Sequence, residues 1–192
     1  MLTYIKCKEF KNIDSPTGRV YEVPPGVYPS VTTVLSATKD TAWLQAWKDK
    51  VGEQTAADIL QAASERGTKV HGYIEQLYTN YSCPTLSDAL NYFNQLPLKT
   101  DSPHIQRMVL NLSKILISNK YESIAEEFVV WDTDLKIAGR CDNLGYWNGQ
   151  LTLVDFKTST KEKHKSHIKD YFLQASAYCK AHNSLFANKI KH

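Results

Sequence analysis

The stretch that decides the fold is residues 139–157, which read GRCDNLGYWNGQLTLVDFK. At its centre, Asn148-Gly149 is the dipeptide most typical of a two-residue β-hairpin turn. An apolar run follows the turn at 151–156, and two more precede it, at 127–131 and 135–138. We therefore expect an antiparallel meander of strands.

Helical patterns flank this meander. Apolar residues recur every three to four positions from about Thr41 to Thr79 and again from His167 to Ala187. Prolines bracket a short helix at 84–97, and Pro103 opens another. Helices, then strands, then a helix predict an α+β fold.

The amino-terminal part predicts a β-hairpin within residues 2–23, because β-branched and aromatic residues surround the turn-forming sequence at 14–18. Ser30 is expected to cap a helix. We expect one domain over residues 1–192, divided into the following parts: the hairpin at 1–28, a helical region at 29–120, and a sheet with its helix at 121–192.

Composition excludes several classes of protein. The chain has 192 residues, of which 42% are hydrophobic, enough for a buried core. Neither a membrane-spanning run nor a signal peptide is recognisable, so we expect no membrane association and a cytoplasmic location. The four cysteines lie far apart, which argues against a zinc knuckle or a disulfide framework.

Positive charge is concentrated near the carboxyl end. Residues 155–192 contain eight lysines and three acidic residues, a net charge of +5, whereas residues 1–154 carry −2. Clustered lysines are typical of a surface that binds polyphosphate, because neutralising phosphates releases counterions. A solvated helical face explains the same lysines.

Asp142, Asp155 and Lys157 form the most informative group. Burying an acid within an apolar strand is costly unless the acid is paired or bound to metal. Side chains two apart on a strand share a face, so we expect Asp155 and Lys157 to lie together, with Asp142 alongside across the hairpin. Carboxylate oxygens suit Mg²⁺ or Mn²⁺. A structural Asp–Lys ion pair is the alternative.

Two helical pairs add to this group. His71 and Glu75 lie four apart, so a histidine ligand and an orienting acid are expected on one face. Gln174 and Tyr178 are likewise four apart on the basic helix, as a polar edge turned toward the sheet would require. A lone helical histidine is more often structural.

Together these residues resemble the PD-(D/E)XK nuclease superfamily, in its RecB-like exonuclease branch, which includes mitochondrial and phage exonucleases. The resemblance rests on four motifs in order: G-x-x-x-H-x-x-x-E at 67–75, G-x-x-D at 139–142, D-x-K at 155–157 and Q-x-x-x-Y at 174–178. It implies a restriction-endonuclease-like core, with a small mixed β-sheet flanked by helices and an N-terminal helical region.

The resemblance also implies roles for individual residues. Asp142, Asp155, His71 and the Phe156 carbonyl would bind Mg²⁺ or Mn²⁺, and Glu127 matches a further acid of the family. Lys157 would orient or deprotonate the attacking water and offset transition-state charge. Catalytic support would come from Gln174 and Tyr178. No iron–sulfur cluster is expected, because a cysteine cluster near the carboxyl end is missing.

The implied activity is metal-dependent hydrolysis of DNA, from a free single-stranded end. Further candidates for DNA contact are aromatic or basic, namely Trp43, Trp47, Lys48, Lys50, Lys161 and Lys163, although the tryptophans are equally typical of a core. The family adds one or more strands after the Q-x-x-x-Y helix, so we expect either a short sheet edge or a truncated form of the family's domain. A DNA-binding module without cleavage, or an endonuclease with an open cleft, remains the alternative.

Overall fold

The secondary-structure elements follow the expected α+β order. A computed structural model describes residues 2–81 and 83–191. Within them the strands are β1 (Asn12–Ser15), β2 (Gly18–Val23), β3 (Gly26–Pro29), β4 (Glu122–Asp132), β5 (Ile137–Trp147) and β6 (Gln150–Val154). The α-helices are α1 (Tyr4–Cys7), α2 (Val31–Ala37), α3 (Ala42–Val51), α4 (Glu53–Asn80), α5 (Leu86–Gln95), α6 (Pro103–Ser118) and α7 (Lys169–Leu185). Short 3-10 turns occupy Pro97–Thr100 and Lys165–Ile168.

Two units share these elements. The first contains the residues up to Thr38, Asn119–Asp155 and the residues from Lys163 onward; the second contains Lys39–Ser118 and Phe156–Glu162. The first therefore holds both sheets and α7, and the second holds helices α3 to α6. The prediction of one domain over residues 1–192 stays a prediction.

The first sheet has the order β1-β2-β3 and contains the predicted hairpin. The hairpin occupies only the later part of residues 2–23, because Tyr4–Cys7 form a helical turn. The Thr3 side chain accepts a hydrogen bond from the backbone of Lys6, and Cys7 is fully buried. Burial of this turn against the core outweighs its β-favouring composition. Ser30 caps α2 as predicted, accepting from the Thr33 backbone at 2.9 Å.

The second sheet, of order β4-β5-β6, is the expected meander. Asn148 and Gly149 both have positive φ, +48° and +80°, as a type I′ turn requires. Both sheets are antiparallel throughout the described residues, and one isolated parallel bridge joins Ser30 to Ala138. The expected mixed character is limited to that bridge.

Helix α7 packs on this second sheet. Gly139 makes the approach close, since a Cβ there would lie 2.3 Å from Cε1 of Tyr178. An ion pair between a buried carboxylate and an exposed lysine adds a polar attachment: Lys180 Nζ lies 2.6 Å from Asp132 Oδ2, and the Ser184 hydroxyl donates to the same oxygen at 2.8 Å. These contacts fix the position of α7 on the sheet.

The second unit is helical, as predicted. Gly52, with φ of +87°, separates α3 from α4, whereas α4 runs through Gly67 without interruption. Asp101 connects α4 to the segment before α6, because its carboxylate accepts hydrogen bonds from Lys69 and, at 2.6 Å, from Tyr73. No helix in the described ranges is long and apolar enough to cross a membrane.

Candidate metal and catalytic site

Glu127 on β4 and Asp142 on β5 occupy facing positions. The ladder pairs Glu126 with Asn143 on one side of them and Phe128 with Cys141 on the other. One carboxylate oxygen of Glu127 lies within 4.8 Å of one of Asp142. Because like charges directly opposite each other in a ladder destabilise a sheet, this pair requires compensation.

Arg140 supplies part of that compensation. Its Nε lies 2.8 Å from Oε2 of Glu127, and it stands two residues before Asp142, on the same face of β5. Glu127 also has a φ of +47°, which costs energy for a residue with a side chain. Strained backbone of this kind is concentrated at functional sites.

The donor set fits a hard divalent cation. Glu127 and Asp142 are both half-buried, and their oxygens are close enough together to share one ion. Mg²⁺ and Mn²⁺ prefer carboxylate oxygens, and a bound cation would add to the compensation that Arg140 provides.

Asp155 is the next acid of the candidate site. It directly follows Val154, whose ladder partner is Asn143, the residue after Asp142. Strand β6 ends at Val154, however, so Asp155 and Lys157 do not share a strand face. That part of the prediction is wrong, because the chain leaves the ladder one residue before the acid.

Gln174 and Tyr178 reach Asp155 from α7. The Gln174 amide nitrogen donates to Asp155 Oδ1 at 3.3 Å and to the Tyr178 hydroxyl at 3.0 Å. Both side chains are buried, and burial raises the pKa of Tyr178 well above its ordinary value, so the phenol keeps its proton. The predicted polar edge of α7 thus faces the sheet.

Cys141 lies in the hydrophobic core, next to Asp142 in the sequence. Its thiol is fully buried, and this burial, together with Asp142 and Asp155, raises its pKa. The thiolate is the form that binds metal or attacks a substrate. Burial therefore disfavours the thiolate form of Cys141, and the side chain packs in the hydrophobic core.

In the second unit, α4 packs against the segment that carries Lys157. The His71 and Phe156 rings lie edge to face with centroids 5.7 Å apart. One turn earlier, a Cβ on Gly67 would lie 3.7 Å from Thr158 Oγ1. Two motif positions on α4 therefore contact the residues on either side of Lys157, which is itself exposed.

The ligand role of His71 stays a prediction, as does the orienting role of Glu75. Both residues are half-buried on α4, in the second unit, whereas Glu127, Asp142 and Asp155 belong to the first. The same holds for the Phe156 carbonyl, which follows Asp155 directly.

The predicted DNA-contacting residues differ in exposure. Trp43 is 66% exposed, whereas Trp47 is half-buried, and α3 contains no fully buried residue. Lys48 Nζ lies 3.7 Å from Glu53. Lys50, Lys161 and Lys163 are exposed, and Lys163 donates to the Tyr171 hydroxyl. A core role suits Trp47 better than Trp43.

Sequence reasoning did not assign roles to Arg140 or Asp132. Arg140 was visible as the residue two before Asp142 on a strand, where it would share a face with the acid. Asp132 carried no signal, because its partners Lys180 and Ser184 lie about fifty residues away in the sequence.

The chain is similar to known nucleases. Residues 43–191 match the model of the PD-(D/E)XK nuclease superfamily. The chain is also 27% identical, over 168 residues, to mitochondrial genome maintenance exonuclease 1 of Xenopus tropicalis. That alignment covers 82% of this chain but only 44% of the relative, so the chain spans less than half of the protein that it matches.

Proposed function

The chain belongs to the PD-(D/E)XK nuclease superfamily, and from this premise we propose that it is a metal-dependent deoxyribonuclease that degrades single-stranded DNA from a free end. The observation that carries the proposal is the pair of facing acids Glu127 and Asp142 on β4 and β5, with Asp155 directly after the last paired residue of β6. A module that only binds DNA has no need of such a set of acids.

We assign the chemistry to the chain's residues as follows. Asp142 and Asp155 hold the cation, with Glu127, His71 and the Phe156 carbonyl as further ligands and Glu75 as the partner that orients His71. When bound, Mg²⁺ or Mn²⁺ lowers the pKa of a coordinated water and polarises the phosphate. Lys157 orients the water and offsets the developing negative charge. Gln174 holds Asp155, and Tyr178 holds Gln174.

The candidate DNA-contacting residues favour single-stranded DNA as the substrate. Trp43, which is exposed on α3, offers a ring on which an unpaired base can stack, with Trp47 beside it. Lys48, Lys50, Lys161 and Lys163 would neutralise phosphates. The relative is named an exonuclease, which favours attack from an end. We place the activity in DNA replication, recombination or repair in the cytoplasm, including that of a host cell if the protein is encoded by a phage.

The decisive experiment compares linear and circular DNA. The same single-stranded sequence, end-labelled and linear or covalently closed, is incubated with Mg²⁺, Mn²⁺ or EDTA, beside a blunt duplex. We expect the linear strand to be degraded with either metal, the circle and duplex to resist, and EDTA to stop the reaction. Efficient cutting of circles would replace the exonuclease with an endonuclease, and binding without cutting in every metal would make the protein a binding module.

A further inference from the structure

At the start of α7, the segment 163–173 presents an aromatic ring to solvent. Phe172 is 63% exposed and Leu173 45% exposed, although both belong to the regular helix α7. Their neighbour Gln174 is buried and turned toward the sheet. Successive helical residues are rotated by about 100°, so Phe172 lies on the opposite side of α7 from Gln174 and makes no contribution to the sheet packing.

Three lysines belong to the same segment as this ring. Lys163, Lys165 and Lys169 are all exposed. Lys169 lies three residues before Phe172 and four before Leu173, which places it on the same face of α7. We call these five residues, Lys163, Lys165, Lys169, Phe172 and Leu173, the Phe172 surface.

One contact keeps the lysine-rich segment beside the helix. The Lys163 ammonium group donates to the Tyr171 hydroxyl and lies 5.0 Å from the centre of the Tyr171 ring. Tyr171 adjoins Phe172 on α7, so this contact holds the positive charge next to the exposed aromatic ring. Charge and ring therefore form one surface.

We propose that the Phe172 surface binds an unpaired stretch of the DNA substrate, with a base stacked on Phe172 and phosphates on the flanking lysines. This inference rests on the proposed nuclease function and assigns a substrate-binding residue to it. The combination of exposed rings and a positive track is typical of single-strand binding, because every base can stack whereas the backbone needs cations. A protein partner fits less well, since lysine is depleted at protein–protein interfaces.

The test measures binding of two oligonucleotides of equal charge to the full chain in EDTA. One is a fluorescein-labelled 20-mer of thymidine, and the other is an abasic 20-mer with the same phosphates. Fluorescence anisotropy gives the Kd for wild type, Phe172→Ala, Phe172→Trp and Val27→Ala. Val27 is a matched control, because it is 60% exposed on β3 and outside the Phe172 surface.

We expect Phe172→Ala to raise the Kd for the thymidine 20-mer at least fivefold, in line with the loss of one stacked base, and to change that for the abasic 20-mer less than twofold. Phe172→Trp should keep near wild-type binding, and Val27→Ala should match wild type. In contrast, the double variant Lys163→Gln/Lys165→Gln should weaken the binding of both oligonucleotides equally. It should also reduce the salt dependence of that binding.

Equal binding by Phe172→Ala and wild type, or equal losses on both oligonucleotides, would overturn the inference. So would a change in sedimentation from dimer to monomer in Phe172→Ala without a change in DNA binding, since the surface would then join two copies. Cleavage of the linear strand by wild type, assayed in parallel, separates the two proposals. Cleavage without a Phe172 effect refutes only this inference, and a Phe172 effect without cleavage refutes only the proposed activity.

Discussion

Glu127 and Asp142 face each other across the β4–β5 ladder, with carboxylate oxygens within 4.8 Å, at a point where Glu127 has a positive φ. Two like charges so placed repel each other, and Arg140 Nε, which lies 2.8 Å from Glu127 Oε2, offsets part of that repulsion. A divalent cation bound between the two carboxylates would lower the repulsion further. Strain and repulsion at one point are consistent with a site shaped for a ligand rather than for stability.

Glu127→Gln should reduce the stabilisation that metal gives to the folded protein. A ligand at one hundred times its Kd stabilises by about 2.7 kcal/mol, which corresponds to a rise in Tm of roughly 5–10 °C for a chain of this size. We expect such a rise for wild type on replacing EDTA with Mn²⁺, and a smaller one for Glu127→Gln. An identical rise in both proteins would exclude Glu127 from the metal site.

Asp155→Asn and Lys157→Ala should each lower the cleavage rate at least about 100-fold while leaving the protein folded, because each removes a charge that acts in the transition state. Cleavage of a labelled single strand and circular dichroism measure the two properties. Asp58→Asn and Lys114→Ala, on exposed helical positions, are matched controls that should retain wild-type rates. Near wild-type turnover in either site variant would refute the assignment.

Gln174→Ala should lower kcat roughly 10- to 100-fold, as expected when a group that orients a metal ligand is lost, with little change in KM. Tyr178→Phe should have a smaller effect, since Gln174 keeps its hydrogen bond to Asp155 and the ring still packs on Gly139. Steady-state kinetics on a linear strand measure both constants. A larger loss of kcat in Tyr178→Phe than in Gln174→Ala would contradict the proposal that Gln174 holds Asp155 directly and Tyr178 acts only through Gln174.

Gly139→Ala and Gly67→Ala should have opposite effects on stability. A Cβ at Gly139 would lie 2.3 Å from the Tyr178 ring, so overpacking should cost about 1–3 kcal/mol. A Cβ at Gly67 has its nearest neighbour at 3.7 Å, and alanine within a helix is favoured over glycine by up to about 1 kcal/mol. Urea unfolding measures both changes, and a stable Gly139→Ala would contradict the close packing of α7 on β5.

Asp132→Asn should destabilise the fold by about 2 kcal/mol at pH 7. Burial opposes ionisation of Asp132, but hydrogen bonds from Lys180, the Leu135 backbone and Ser184 outweigh it and lower the pKa to about 2. Because this value lies below the unfolded pKa of about 3.9, the stabilisation is complete above about pH 5 and disappears as the pH falls through about 2. The difference in unfolding free energy between variant and wild type should therefore shrink from pH 4 to pH 2. A difference independent of pH would contradict the ion pair.

The sequence by itself determined the elements whose causes are local. Asn148-Gly149 specified the hairpin because these residues adopt positive φ at little cost. Ser30, which caps α2, and Pro103, which opens α6, marked helix starts because their interactions span a few residues. The spacing of Gln174 and Tyr178 predicted one helical face, and the structure links their side chains by a hydrogen bond.

Only the tertiary structure decided how the acids combine. Glu127 faces Asp142 because of the β4–β5 register, which shifts between Ser123 and Ala125, and no local pattern reveals such a shift. The apolar run at 151–156 predicted a strand that includes Asp155, but β6 ends at Val154. Pairings of this kind join residues far apart in sequence, and packing selects them among many registers that the same local propensities allow.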